Sequence, residues 1–184
     1  AKYWEKYNAI IPKVSWSLIG PFKNVNGSGF STTHLIESDQ YAPNKIYKND
    51  KGLKLSWINP LYSAASGRIV FSQHLPSMSW GEDVTYYANT FINLSEDKTV
   101  LLHLGRTAPV KLWVNNTLVY SNDHSVPFYY DLETIELKLK KGSNRILIKN
   151  ATNKNSDETL GSLNFWDENT YENEPERAIV KGGL

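Results

Sequence analysis

The sequence predicts an all-β protein, an antiparallel β-sandwich with a short helix at its N-terminus. Three observations predict it. Apolar and polar residues alternate over short stretches, the period-two pattern of half-buried strands. From residue 84 onward these stretches recur at close, even intervals, separated by Gly-, Asn- or Ser-containing turns. Helical periodicity is almost absent, which disfavours an α/β arrangement.

Each element follows from its own pattern. The opening AKYWEKYNAI puts Tyr3, Trp4 and Tyr7 at helical spacing, so a short helical lead-in is expected over residues 1–12. After Pro12 the pattern changes to strand, with VSWSLI alternating Val14, Trp16 and Leu18 before the turn pair Gly20-Pro21. Residues 22–50 read as loop, and NGSGF (26–30) within them reads as a flexible turn. Alternation resumes in LKLSWI (53–58) through Leu53, Leu55 and Trp57, and GRIVFS (67–72) precedes a Pro/Ser/Gly loop that reaches Gly81. VTYYANTFI (84–92) sets Val84, Tyr86, Ala88, Thr90 and Ile92 on one side. TVLLHLG (99–105), a hairpin at 110–121, TIELKL (134–139) and NRILIK (144–149) follow, the last two joined by the compact turn LKKGSN (139–144). LNFW (163–166) is a candidate final strand. The sandwich is therefore expected over residues 13–166, with 167–184, acidic and then Gly-ended, as a tail or linker.

The hairpin VKLWVNNTLVYS raises the sharpest question. A two-residue loop favours positive φ at both central positions, which Asn tolerates, so Asn115-Asn116 is the expected turn. Val114 then faces Thr117, Leu112 faces Val119 and Val110 faces Ser121, a mostly aliphatic core face. The other face pairs Trp113 with Leu118 and Lys111 with Tyr120. Trp113 is either covered, by a loop such as 121–130 or by the terminal segments, or it forms with Tyr120 an apolar plate for a sugar ring. The covered reading is expected.

Composition narrows the function classes. Lys+Arg 20 against Asp+Glu 19 leaves a net charge of +1, without the basic excess of a nucleic-acid binder. No apolar run approaches the ~18 residues of a membrane span. Zero Cys excludes disulfides, thiol chemistry and cysteine zinc sites. Six Trp and eleven Tyr make the chain aromatic-rich, which suits both a sandwich core and carbohydrate recognition. The charged, aromatic start reads as if cut from a longer chain.

Enzyme chemistry finds no foothold. A glycosidase needs two facing carboxylates, and the candidates are Glu37, Asp39, Asp83, Asp131 and Glu133. Asp131 and Glu133 read as a solvated strand edge. His34, His74, His103 and His124 show no metal-ligand spacing, and His103 reads as a buried strand histidine. NGSGF lacks both the nucleophile-elbow spacing and a phosphate-loop Lys. No catalytic residue, metal ligand or cofactor is assigned. A structural calcium is the one ion considered, with NDKG (49–52) and SNDHS (121–125) as oxygen-rich stretches but not ligand patterns.

Taken in order, several motifs resemble one family. WSLIGPFKNVNGSGF (16–30), YKNDKGLKLSW (47–57), VTYYANTFI (84–92), VKLWVNNTLVY (110–120) and LKKGSNRILIK (139–149) resemble segments of galactose-binding-like jelly-roll domains in large bacterial multidomain proteins. The resemblance implies a jelly-roll sandwich and an accessory role beside a catalytic or repeat region, bacterial and secreted: extracellular, periplasmic or at the cell surface. Two departures matter. The usual turn Gly is Asn116, and GRTAP (105–109) lacks the acidic residues that often precede the Trp strand, so no contact of those acids carries over.

The expected function is a non-catalytic accessory module that binds carbohydrate. The alternative is a structural, interdomain sandwich next to a peptidase, transglutaminase-like or repeat region. Sugar sites need exposed aromatic faces with polar groups beside them, and loops carry such sites most readily. PSMSWGED (76–83) offers Trp80 and Glu82, and SNDHSVPFYYD (121–131) offers Asp123, His124 and Tyr129, with Arg106 near the rim if these loops meet. The expected partners are a glycan or adjacent domains of the parent protein, with no nucleic acid, no membrane insertion and a monomeric state.

Overall fold

A computed structural model describes residues 14–59, 68–76, 83–129, 132–153, 159–167 and 179–181. The helical lead-in expected over 1–12 lies outside them, as do Trp80, Glu82 and Asp131. The described residues form an all-β sandwich. Its first sheet holds β1 (Ser17–Lys23), β5 (Val84–Leu94), β10 (Gly142–Ala151), β7 (Val110–Val114) and β8 (Thr117–Asn122), in that order. The second holds β12 (Ile179–Lys181), β9 (Glu133–Leu139), β6 (Lys98–Arg106), β11 (Thr159–Asp167) and β4 (Ile69–Val70). All neighbouring strands run antiparallel except β12, which adds to β9 in parallel.

The chain passes back and forth between the sheets from β5 to β11, so alternate residues of each strand meet in one interior. Val84, Tyr86, Ala88 and Ile92 of β5, as expected, pack with Leu112, Ile146 and Ile148 of their own sheet. From the opposite sheet they meet Leu102, Leu104, Ile135 and Leu137. Trp16 also enters this core, stacked 6.2 Å from Phe165.

Residues 22–50 are not simply loop. With the stretch up to Trp57 they form a cover over the outer face of the first sheet. The cover comprises a 3-10 segment (Val25–Phe30), α1 (Leu35–Ser38) and a small hairpin of β2 (Tyr47–Lys48) with β3 (Lys54–Leu55). Ile36, Tyr47, Leu55 and Trp57 descend from it onto Ile19, Tyr87, Trp113 and Leu147. This second core explains why β10 is buried along both faces, Arg145, Leu147 and Lys149 pointing opposite to Ile146 and Ile148.

The hairpin turn adopts the expected geometry, with φ 49° at Asn115 and 67° at Asn116. Its register departs from expectation after two pairs, the first being Val114 with Thr117. Trp113 faces Leu118, but a bulge then shifts Leu112 onto Tyr120 and Lys111 onto Ser121. Tyr120 thereby turns into the main core, away from Trp113. Trp113 is 9% exposed. It is covered, as expected, though by the 36–57 segment rather than by 121–130.

NGSGF is a packed element and not a loose turn. Asn24 accepts from the Gly29 amide at 2.5 Å and donates to the Thr152 carbonyl. A Cβ on Gly29 would come within 2.3 Å of Thr85 Oγ1, so only glycine lets this segment settle on the sheet.

Candidate functional site at one end of the sandwich

The first sheet ends together at Lys23, Val84, Ala151, Val110 and Asn122, as the strand registers require. The chain leaving β8 at this end, residues 123–129, has no regular structure, yet it is tied down from His124 to Val126. Asn122 Oδ1 accepts from the His124 amide at 3.0 Å. The Val126 amide donates to the Thr107 carbonyl at 2.9 Å, and Ser125 bonds to the Asn153 side chain.

Beneath the loop lies Arg106, 1% exposed. Its Nη2 donates to Glu133 Oε1 at 2.8 Å and its Nε to Glu133 Oε2 at 3.1 Å. Nη1 donates to the carbonyls of Ala108 at 3.0 Å and His124 at 2.6 Å. Arg106, expected at the rim as a ligand contact, is therefore a positioning residue: its donors are spent on Glu133 and on the loop backbone. Glu133, expected on a solvated edge, is its largely covered counter-charge. Tyr120 sits against the same carboxylate, and burial together with Glu133 pushes its hydroxyl up to about 12.

What this support displays is polar and aromatic. Asp123 Oδ1 and His124 Nδ1 lie 2.7 Å apart, with side chains 67% and 82% exposed, and Tyr129 is 61% exposed. Phe128 is half-buried against the Arg68 guanidinium, 5.9 Å from its ring centre. Asp123, His124 and Tyr129 are thus brought onto one ordered loop, while Trp80 and Glu82 lie outside the described residues.

A second polar centre was not anticipated. Lys149, on the outer face of β10, donates to Glu37 Oε1 at 2.5 Å and to the Thr32 carbonyl at 2.6 Å. Tyr87 donates to the same Glu37 oxygen at 2.7 Å, and its hydroxyl meets His34 Nδ1 at 2.8 Å. Burial lowers the Lys149 pKa against the pull of Glu37, and burial with the Lys149 charge lowers that of His34. Arg145 completes the attachment by donating to Asn89 Oδ1 at 2.7 Å and the Asp39 carbonyl at 2.6 Å. Two strand cations therefore hold the cover to the sheet. Their only trace in the sequence is the pair of charges flanking Leu147, a pattern that a solvated strand face also produces.

The remaining expectations concern acids and ions. Glu37, Asp39 and Glu133 each sit with a separate cation, Lys149, Lys45 and Arg106 respectively. Asn49 of NDKG spends its amide on the chain, accepting from the Lys51 and Leu53 amides and donating to the Pro21 carbonyl. Among the described residues no three His, Asp or Glu side chains gather as metal ligands. No helix among these residues is long and apolar enough to cross a membrane.

No protein-family model matches the sequence, and no curated protein matches it. Solved structures do overlap with it. A family 35 carbohydrate-binding module from Clostridium thermocellum shares 16% identity over 52% of this chain and 88% of its own, at a TM-score of 0.33. The PA14 domain of the MpAFP antifreeze protein shares 14% identity over 46% and 48% of the two chains, at 0.34. A β-glucosidase from Kluyveromyces marxianus, solved with glucose, shares 14% identity over 48% of this chain at 0.36, and the match spans only 11% of the enzyme. At such identities and TM-scores these likenesses carry no functional argument.

Proposed function

We propose that this domain is a non-catalytic accessory module that binds carbohydrate through the 123–129 loop. The observation that carries the reading is the pairing of an exposed aromatic and two polar side chains with a buried strut. Tyr129 offers a ring face to the apolar side of a sugar, and Asp123 and His124 offer an acceptor and a donor for its hydroxyls. Arg106 fixes the loop backbone at His124, so less freedom is lost there on binding. Trp80 and Glu82 remain in the proposal as a second aromatic and its acidic neighbour. The module is proposed to act outside the cytoplasm of a bacterium, as part of a larger protein.

A glycan array followed by isothermal titration tests this reading. Saturable binding that Tyr129→Ala weakens at least about tenfold, or about 1.4 kcal/mol, supports it. A second reading, a structural interdomain sandwich, is favoured by the exposed Leu35, Ile46 and Leu53 on the cover. A flat response across plant, host and bacterial glycans would select it.

A further inference from the structure

The cover also forms an open-mouthed pocket of about 240 Å³ where β1 ends. Phe22 and His34 form its aromatic wall, their rings 5.0 Å apart. Ser28 and Thr32 line it from the stretch after β1, and Lys23, Lys48 and Asp50 bring charge. Its walls are already fixed by contacts within the chain. Asn24 pins the segment that carries Ser28, Asn49 pins the turn that carries Asp50, and Tyr87 pins His34. A pocket pre-formed in this way binds with little backbone ordering cost.

Three features define what fits. The first is the free nitrogen of His34. Tyr87 gives its proton to Glu37, so its oxygen must accept from His34 Nδ1–H, which leaves Nε2 as a lone-pair acceptor. No protein group among the described residues bonds to that Nε2. Burial and the nearby Lys149 keep the imidazole below its ordinary pKa, hence neutral at neutral pH. Such an atom takes a hydroxyl donor. The second feature is charge. Lys23 lies 3.7 Å from Asp50, whereas Lys48 has no ion-pair partner among the described residues. One positive charge is left over, which disfavours a metal ion and favours an anionic group. The third is size, below the roughly 300–1,000 Å³ of sites for drug-sized ligands, which limits the occupant to a single small ring or chain.

We propose that this pocket binds a small polyol carrying one anionic group, carboxylate or phosphate, its hydroxyl donating to His34 Nε2 and its anion meeting Lys48. The site is separate from the loop described above, at the other edge of the same sheet end, and does not depend on it.

Isothermal titration with D-glucuronate, D-glucose 6-phosphate and D-glucose tests the assignment. Saturable binding of one or both anions is expected, with D-glucose at least about tenfold weaker. Which anion binds separates carboxylate from phosphate. Lys48→Met should weaken that anion at least about tenfold, and His34→Phe likewise, while Tyr129→Ala leaves it unchanged. Lys48 is exposed, so its variant folds and decides the matter even if His34→Phe does not. Absence of saturable binding by either anion, indifference to Lys48→Met, or loss in Tyr129→Ala overturns the proposal. The last result would move the ligand to the loop.

Discussion

Arg106 and Glu133 meet beneath the 123–129 loop, the guanidinium reaching one carboxylate oxygen at 2.8 Å while another of its nitrogens holds the His124 carbonyl. Removing one partner of a buried pair leaves an uncompensated charge, which costs about 3–5 kcal/mol. Arg106→Met should therefore lower stability by about 3 kcal/mol, the lower end because the Glu133 side chain keeps 11% exposure. It should also open the loop to limited proteolysis between residues 123 and 129. Urea unfolding and protease mapping check both effects, and intact loop resistance in a destabilised variant would separate the strut from the loop.

Trp113 belongs to the outer core with Leu147 and Trp57. Aromatic side chains bury about 150–250 Å², worth roughly 4–6 kcal/mol of transfer energy, so no ligand face is gained cheaply by uncovering it. Trp113→Ala should cost about 3–5 kcal/mol in denaturant unfolding. Glycan affinity should stay unchanged in the surviving folded fraction. A variant of wild-type stability with lost glycan binding would restore the sugar-plate reading.

Much of this arrangement was legible in the sequence because it is local. The inward set of β5, the Asn115-Asn116 turn and the β9–β10 turn all follow from period two and φ preference. What stayed hidden is long-range. Whether Arg145 and Lys149 face water or a covering segment depends on Asp39, Thr32 and Glu37, more than a hundred residues earlier. The bulge that turns Tyr120 inward leaves no mark, since Val119 and Tyr120 both suit a core. Of the loop residues, Asp123, His124 and Tyr129 could be chosen by type and turn context. Arg106 could not be told from a ligand contact, because its partner Glu133 read as a surface acid.

The hairpin turn offers a test of backbone strain. Asn116 holds φ 67°, which glycine adopts without the steric cost of a Cβ, and its side chain accepts a 3.4 Å hydrogen bond from Arg145. Asn116→Gly should be neutral or stabilising by up to about 1 kcal/mol. Asn115→Ala should instead destabilise by about 1–3 kcal/mol, since Asn115 also accepts from the Arg145 amide at 2.8 Å. Equal losses in the two variants would contradict the turn geometry.

Alkaline pH should act through three tyrosines that burial raises, Tyr87, Tyr47 and Tyr120. Burial, then the hydrogen bond to Asp39, raises Tyr47 to about 12, and burial raises Tyr120 to about 12. A raised folded-state pKa gives stability that is complete below the ordinary tyrosine value of about 10. That stability is lost as pH climbs through about 12, because the unfolded chain ionises first. Melting temperature should fall steadily across this window, and Tyr47→Phe should make the fall shallower. An unchanged slope would show that Tyr47 ionises freely in the fold.

The most direct measurement is a heteronuclear NMR titration of the wild-type chain with the tightest glycan from the array. Amide shifts that saturate together and concentrate on residues 123–129, the backbone held by Arg106, are the predicted result. No saturable shift for any glycan, or shifts that leave 123–129 untouched, would contradict a carbohydrate surface on this loop.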